Sequence, residues 1–288
     1  MKIIAIRRIF FGLLFFLFSQ VHAQDVLDWQ LLRPGLSYAV QTQATTSQGT
    51  MHRLHWLRID LQQADLQLVL TPQACAGLYL PELDKLPGVL ASINASFFTR
   101  TFDARGHTVS SGTAWKNSYR VNEGPTLACT QDRQCQVLHQ APSETPSHWA
   151  QASSGVHSLV VQGKARSAEE DQACPTFCET THPRTAVGLD ATRQWMVWIV
   201  AEGRQKNVEG LALSKFAQLI QAQGITEALN LDGGGSTAMH VLGQPRTARP
   251  DNEPKARKIA NAWVVMDQSS PVENLTNYCQ NRSTEKAP

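Results

Sequence analysis

The chain has 288 residues, of which 42% are hydrophobic and 17% are charged. This length and composition fit one large globular domain or two small ones, and they exclude a disordered or fibrous protein. The formal net charge is +2, from 26 basic and 24 acidic residues; without Lys2, Arg7 and Arg8 the count is 23 against 24, a net of −1. Because no basic field remains, no nucleic-acid partner is expected.

The first 23 residues have the three parts of a secretory signal peptide. A basic start is followed by the apolar run Ile9–Phe18 and by Val21-His22-Ala23, a small-residue cleavage site. The alternative is a retained membrane anchor, but this run is shorter than the roughly 20 residues that span a bilayer. We therefore predict an exported protein, periplasmic or secreted, that begins at Gln24 and has no stable membrane anchor after signal removal.

Period-two patterns dominate the first half of the chain and predict strands. Two of them cover His52–Ile59 and Leu66–Leu70. Residues 24–86 are predicted to be N-terminal strands that pack on a main domain of residues 87–267. Within that domain, Gly88–Ser96 alternates between apolar residues and mostly polar residues, which include Asn94. This segment should be a strand with one apolar and one polar face.

The second half continues the sheet and adds one clear helix. The patterns predict a hairpin of Thr185–Asp190 and Trp195–Val200, a helix from an N-cap near Ser214 to Gly224, and strands at Glu227–Leu231 and Ile259–Met266. Residues 268–288 are predicted to be a polar C-terminal tail without periodicity. The expected fold class is α+β, a single mixed, sheet-rich domain with few helices that is stapled by disulfides.

Six cysteines follow the predicted signal, and an even number in an exported protein favours disulfides. The close pairs Cys129/Cys135 and Cys174/Cys178 suit loop staples, which would leave Cys75 and Cys279 to tie the tail to the body. Six cysteines allow 15 connectivities, so the pairing stays open. There is no CxxC and no nearby histidine pair at ligand spacing, so neither a metal site nor a cofactor is expected.

The most informative motif follows the predicted strand Glu227–Leu231. Asn230 and Asp232 share one face of that strand, so a carboxylate lies at its exit. Gly233, Gly234 and Gly235 then leave a turn without side chains, where backbone N–H groups can approach an anion and the hydroxyls of Ser236 and Thr237 add donors. The motif predicts a phosphate site; the alternative is a tight turn that needs positive φ.

Two further segments carry polar groups that suit such a site. In His182-Pro183-Arg184-Thr185, an arginine and a hydroxyl lead into a strand, and a guanidinium can bind a phosphate through two hydrogen bonds. In the Gly88–Ser96 strand, Asn94 lies on the polar face. The alternatives are a solvated arginine at a strand start and an ordinary core strand.

Read in order, these segments resemble the phosphodiester glycosidase family over roughly residues 87–267. The resemblance rests mainly on Pro183–Gly188 and on Asn230–Thr237, with shorter matches at Asn94–Phe98 and Ala260–Ala262. It implies hydrolysis of a sugar-1-phosphodiester, of the N-acetylglucosamine-1-phosphodiester type, in an envelope polymer or a glycan. The sequence departs from the family at Ala95-Ser96, where two glycines are usual, and at Val156-His157-Ser158, so the sugar preference stays open, as does the oligomeric state.

The resemblance also implies roles for these residues. Asp232 is expected to be the nucleophile or the base that activates water, and Arg184 to clamp the phosphate. Asn94, Thr185, Asn230, Ser236 and Thr237 are expected to position the substrate. If a second carboxylate or acid is used, the candidates are His182, Asp190, Glu202 and Glu253.

Two other functions remain open from the sequence. The same cleft could cut the P–O bond, which would make the protein a phosphodiesterase. Alternatively, the protein could bind envelope glycans without turnover by stacking Trp56, Trp115 or Trp263 on sugar.

Overall fold

The computed structural model describes residues 27–47 and 49–284, with side chains as far as Arg282. The predicted signal peptide lies outside the described residues. Within them, no helix is both long enough and apolar enough to cross a membrane.

The described residues form a sheet-rich α+β fold, which confirms the predicted class. The strands are β1 (Gln30–Arg33), β2 (Leu36–Ala44), β3 (Met51–Asp60), β4 (Leu66–Leu70), β5 (Leu78–Tyr79), β6 (Val89–Asn94), β7 (Thr108–Ser110), β8 (Thr113–Ala114), β9 (Thr126–Thr130), β10 (Cys135–Leu138), β11 (Trp149–Ser154), β12 (Ser158–Val161), β13 (Lys164–Ala165), β14 (Arg184–Asp190), β15 (Trp195–Ala201), β16 (Ile225–Leu231), β17 (Met239–Val241), β18 (Gln244–Pro245), β19 (Lys258–Ile259) and β20 (Ala262–Asp267). The helices are α1 (Ala168–Asp171), α2 (Pro175–Cys178), α3 (Leu213–Ala222) and α4 (Val272–Thr284), with 3-10 turns at Gln73–Cys75, Leu80–Lys85 and Gly234–Ser236.

Three larger sheets and one small one organise these strands. The largest has the order β1-β2-β3-β15-β14-β16-β12-β13, and it packs against sheets with the orders β18-β17-β6-β20-β4 and β10-β9-β11-β7-β8, while β19 and β5 form the small sheet. The predicted strands β3 and β4 are consecutive in the chain but lie in different sheets. Strands from the predicted N-terminal region therefore share sheets with those of the predicted main domain, and the boundary at residue 87 remains a prediction.

The main core lies between the sheets, and a second core lies on the outer face of the largest sheet under α3. Along β16, Leu229 and Leu231 face the inner core while Ala228 packs under α3, as strand alternation predicts. The β14–β15 hairpin is confirmed with regular antiparallel register. Trp198 is fully buried there, whereas Trp195 is only half-buried, with the guanidinium of Arg58 over its ring.

The predicted strand Ile259–Met266 is interrupted in the structure. It divides into β19 and β20 at Ala260-Asn261. The side-chain oxygen of Asn261 accepts the Ser96 N–H at 2.8 Å, and its carbonyl accepts the Ala95 N–H. This break joins the last strand to the end of β6, which supports the candidate site.

The predicted N-cap of helix α3 is wrong by two residues. The N-cap is Ala212, and Ser214 lies inside the first turn. The carboxylate of Asp171 accepts the Ser214 N–H at 2.8 Å, so a buried side chain from α1 provides the cap. At the other end, Gly224 follows the C-cap with a φ of 80°, as predicted.

The tail predicted to be polar and without periodicity contains helix α4. The sequence of this helix is mostly polar and gave no periodic signal. Two of its residues, Leu275 and Cys279, lie four residues apart and are fully buried. A disulfide from Cys279 to Cys75 and an ion pair of Arg282 with Glu82 at 2.8 Å hold the helix on the body. The other disulfides join Cys129 to Cys135 and Cys174 to Cys178, so the favoured pairing is confirmed.

Candidate active site

Asp232 follows the last residue of β16 and is half-buried. Its N–H donates to the Ala95 carbonyl at 2.9 Å, and its carbonyl accepts the side-chain amide of Asn94 at 2.6 Å. The predicted residues Asn94 and Asp232 are therefore brought together, and β6 fixes the backbone that carries the carboxylate.

Asn94 is itself held on both sides. Its side-chain oxygen accepts the hydroxyl of Thr185 at 2.9 Å and the N–H of Ala238 at 3.1 Å. Both Asn94 and Thr185 are at most 1% exposed. They position the Asp232 segment, and their shared hydrogen bonds leave little surface for a substrate.

Loss of water around Asp232 changes its acidity. Burial raises the pKa of Asp232 to about 6, against the opposing effects of Ser236, the Gly233 N–H and Arg257, while Glu253 adds to the rise. The Ser236 hydroxyl lies beside the carboxylate and favours its charged form, although its geometry falls short of a hydrogen bond. A carboxyl with a pKa near 6 can act as a base or nucleophile close to neutral pH.

The three glycines do not form the predicted open cradle of N–H groups. The Gly233 N–H donates to the carboxylate of Asp232 at 2.9 Å, and the Gly234 N–H donates to the Pro183 carbonyl at 2.9 Å. Gly234 has a φ of 61°, and a Cβ at Gly235 would lie 1.8 Å from the Glu253 carboxylate. Two of the three amides are thus already used, and the glycines permit close packing.

Polar side chains around the turn leave atoms unpaired. Within the described residues, Thr237 Oγ1 and Asn230 Oδ1 are buried and make no hydrogen bond. Asn230 donates its amide to the Val156 carbonyl at 3.2 Å. Because buried polar atoms are normally satisfied, these two atoms are suited to a ligand or to ordered water.

Arg184 does not have the contacts predicted for a phosphate clamp. It is 1% exposed, and its Nε and Nη2 atoms donate to the carbonyls of Leu211, Phe177 and Thr180 at 2.9, 2.6 and 3.0 Å. Burial lowers the pKa of Arg184 to about 10, which leaves it charged at neutral pH. The clamp role stays a prediction, and the observed role of the Nε and Nη2 donors is to hold the 177–180 segment on the sheet.

His182 lies between that segment and a second arginine. Its Nδ1 faces Arg204 Nη2 at 3.0 Å, and its Nε2 faces the Thr176 carbonyl at 3.4 Å. Burial and the neighbouring Arg184 lower the pKa of His182. A neutral ring with its proton on Nε2 fits these contacts, so His182 is better suited to orienting Arg204 than to donating a proton.

The sequence reasoning missed a group of three arginines, Arg204, Arg249 and Arg257, that covers the glycine turn and is called the cationic group here. Glu253 pairs with Arg257 and, at 3.4 Å, with Arg204, and the guanidinium of Arg249 donates to the Gly235 carbonyl at 3.3 Å. The available signal was the density of basic residues in the glycine-free stretch 246–258.

Among the acids considered for a second role, Glu253 is the one placed at the turn. Glu202 is 3% exposed and contacts His55 at 2.9 Å, while Asp190 accepts the Trp195 N–H at the far end of β14. The tryptophans considered for sugar stacking are also unsuited to it. Trp56, Trp115 and Trp263 are 0%, 6% and 0% exposed, so their rings belong to the core.

One group in the described residues has donors close enough to hold a metal: His157, Cys174 and Cys178. The two sulfurs are joined as a disulfide. They are therefore not the thiolates that a metal ion would require.

The family model for phosphodiester glycosidases matches residues 87–266, which is more than half of the chain. The chain belongs to the phosphodiester glycosidase family. Among curated proteins, none matches. The family match covers β6, β14 and β16 with the Asp232 turn, and thus every residue of the candidate site.

Solved structures of related fold extend this likeness. The catalytic domain of zebrafish N-acetylglucosamine-1-phosphodiester alpha-N-acetylglucosaminidase, auto-inhibited by its pro-peptide, has a TM-score of 0.63 and 18% identity, with 83% of this chain and 85% of that chain covered. A hypothetical protein from Synechocystis has a TM-score of 0.60 and 15% identity, with coverages of 84% and 64%. At these identities the structures establish the fold alone.

Proposed function

We propose that the protein hydrolyses sugar-1-phosphodiesters at the C1–O bond and releases a free sugar and a phosphomonoester. The observation that carries the proposal is a half-buried carboxyl, Asp232, with a pKa raised to about 6 beside the cationic group of Arg204, Arg249 and Arg257. Family membership supports the reaction class. The sugar is proposed to be of the N-acetylglucosamine type, as in the name of the zebrafish relative.

The chemistry requires one group on each side of the broken bond. Asp232, ionised, either attacks C1, which forms a glycosyl ester that water then hydrolyses to free sugar, or removes a proton from the water that attacks C1. In both cases the electron pair of the C1–O bond leaves with the phosphate. Because the second pKa of a phosphomonoester is about 6, the leaving group needs neutralisation of charge more than a proton. Arg204 and Arg257 provide that charge, in place of the Arg184 clamp that the sequence predicted.

The export of the protein belongs to this proposal. The predicted signal, the three disulfides and a structural relative from Burkholderia pseudomallei whose name is "putative exported protein" support a site outside the cytoplasm. The natural substrates would then be envelope polymers or glycans joined through sugar-1-phosphate. N-terminal sequencing of the protein from an exporting host should give Gln24.

The test of the reaction uses an N-acetylglucosamine-1-phosphodiester in ¹⁸O-water with mass analysis of both products. We expect the label in the sugar, loss of at least about a thousandfold in turnover for Asp232→Asn, and unchanged turnover for Asp65→Asn, an exposed carboxylate elsewhere. Label in the phosphate would instead identify a phosphodiesterase. Absence of turnover on a panel of sugar-1-phosphodiesters would favour a glycan-binding protein.

A further inference from the structure

Three aromatic side chains lie together beside the Asp232 segment. The ring centroids of Phe97 and Phe177 are 6.0 Å apart, and those of His157 and Phe177 are 5.8 Å apart. All three residues are only partly buried, and Phe177 packs at the edge of the core under α3. We call this group the aromatic wall.

Hydrogen bonds tie each part of the wall to the candidate site. Phe97 lies two residues after Ala95, whose carbonyl accepts the Asp232 N–H, and the His157 carbonyl accepts the Asn230 N–H at 3.1 Å. Phe177 is tied to Arg184, whose neighbour Pro183 accepts the Gly234 N–H. The wall therefore borders the chain that carries the carboxylate.

The short segment that carries Phe177 is held in place by both a disulfide and a buried arginine. Helix α2 is a single turn enclosed by the Cys174–Cys178 disulfide. Arg184 donates to the carbonyls of Phe177 and Thr180, and its guanidinium carbon lies 5.0 Å from the centre of the Phe177 ring. A buried cation and a disulfide thus hold one half-exposed ring in place.

The wall and the cationic group offer different chemistry on either side of Asp232. Arg204 and Arg257 approach Gly234 and Gly235, which follow the carboxylate, and they suit the charged phosphate. On the wall side, the His157 carbonyl accepts the N–H of Asn230, which precedes the carboxylate, and the three rings pack on one another. Burial lowers the pKa of His157, so its ring is neutral at neutral pH. Aromatic rings with a few placed polar groups are the usual lining of small-ligand sites.

We infer that Phe97, His157 and Phe177 form the subsite for the sugar ring, and that Arg184 and the Cys174–Cys178 disulfide act as positioning groups for Phe177. This inference rests on the proposed function and names the part of the substrate that each side of the site recognises. The apolar C–H face of a pyranose lies against the wall, while its phosphate lies against Arg204 and Arg257. Aromatic contacts of this kind contribute about tenfold to affinity.

The first test separates sugar binding from turnover. Free N-acetylglucosamine, glucose and galactose are titrated into the Asp232→Asn protein and followed by saturation-transfer NMR, with Phe177→Ala added in the same background. We expect binding of at least one sugar that weakens about tenfold with Phe177→Ala. The matched control is Phe98→Ala, whose ring stacks on Phe102 at 5.5 Å outside the wall and should leave sugar affinity unchanged.

The second test addresses Phe177 and the disulfide that positions it. In turnover assays, Phe177→Ala and the double variant Cys174→Ser/Cys178→Ser should raise KM for the sugar phosphodiester about tenfold and change kcat less. If Phe177→Ala changes neither sugar binding nor KM, the aromatic wall is not the sugar subsite, and the proposed reaction is unaffected. A protein that neither binds these sugars nor cleaves their phosphodiesters would overturn both.

Discussion

Two arginine regions border the glycine turn, and they differ in how their donors are used. Arg184 is 1% exposed and donates to three backbone carbonyls. Arg204 and Arg257 share Glu253, and their side chains are 32% and 45% exposed. The first arginine stabilises the fold around the site, whereas the second pair retains surface for a ligand. Whether an arginine's donors are already bonded to the protein therefore distinguishes a structural arginine from a ligand-binding one better than the sequence motif does.

Replacing Arg184 gives the largest expected effect on stability. Arg184→Met leaves the carbonyls of Phe177, Thr180 and Leu211 without their donor, and we expect the free energy of unfolding to fall by about 3 to 5 kcal/mol. Urea unfolding measures this fall. Arg100→Met, at an exposed position, should change it by less than about 0.5 kcal/mol. Full stability of Arg184→Met with lost turnover would restore Arg184 as the phosphate clamp.

The pH dependence of stability tests the environment of Asp232. Its pKa is raised from 3.8 to about 6, so the native state holds a proton that the unfolded state has lost between these values. Stability from this group is present below about pH 4 and is lost as pH rises through about 6, by roughly 3 kcal/mol. Turnover should rise over the same range, since the ionised form is the active one.

The measurement is the unfolding free energy of the wild type minus that of Asp232→Asn, at pH 4 and pH 7. We expect this difference in unfolding free energy to become smaller or more negative between pH 4 and pH 7, because the wild type loses stability as Asp232 ionises. Asp65→Asn serves as the control because its carboxylate is exposed, and it should show little change. A difference that moves in favour of the wild type would show that Asp232 is stabilised in its charged form.

Much of the fold could be predicted from local patterns. Strand alternation predicted the faces of β6 and β16, and the spacing of the cysteines favoured the pairing that is present. Helix α4 was missed because its burial depends on Leu275 and Cys279, in a sequence that is otherwise polar. The N-cap of α3 was misplaced because its partner, Asp171, is distant in the chain.

The site was harder to predict than the fold. Asp232, Asn94 and Thr185 were singled out because each occurs in a recognisable motif, and the fold brings them together, but Asn94 and Thr185 were expected to contact the substrate and instead bond to each other and to the Asp232 segment. The arrangement of Arg204, Arg257 and Glu253 was not, because a polar loop gives no periodic signal of where its charges lie. The sequence also cannot show that Arg184 is occupied, since its acceptors are backbone carbonyls from three other segments.

The exposed arginines give a moderate effect on activity and a small effect on stability. Arg257→Gln should raise KM for the phosphodiester about tenfold, equivalent to about 1.4 kcal/mol. Its exposed pair with Glu253 contributes at most about 1 kcal/mol to folding. Steady-state kinetics and thermal unfolding measure the two quantities. Lys255→Gln, an exposed cation two residues away, is the control. An unchanged KM would remove Arg257 from the phosphate site.

Thr185 should give the smallest effect, because its hydroxyl shares an acceptor. In Thr185→Val the side-chain oxygen of Asn94 keeps the Ala238 N–H at 3.1 Å, so the loss is one of two hydrogen bonds, about 1 kcal/mol of unfolding free energy. Thr185→Ser keeps the hydroxyl and serves as the control. Both variants should retain turnover within a few-fold, as measured on the same substrate. Thr185→Val could instead lose turnover at unchanged stability while Thr185→Ser retains it. That result would mean that the hydroxyl reaches the substrate. A purely positioning contact would act through Asn94, which stays held by the Ala238 N–H.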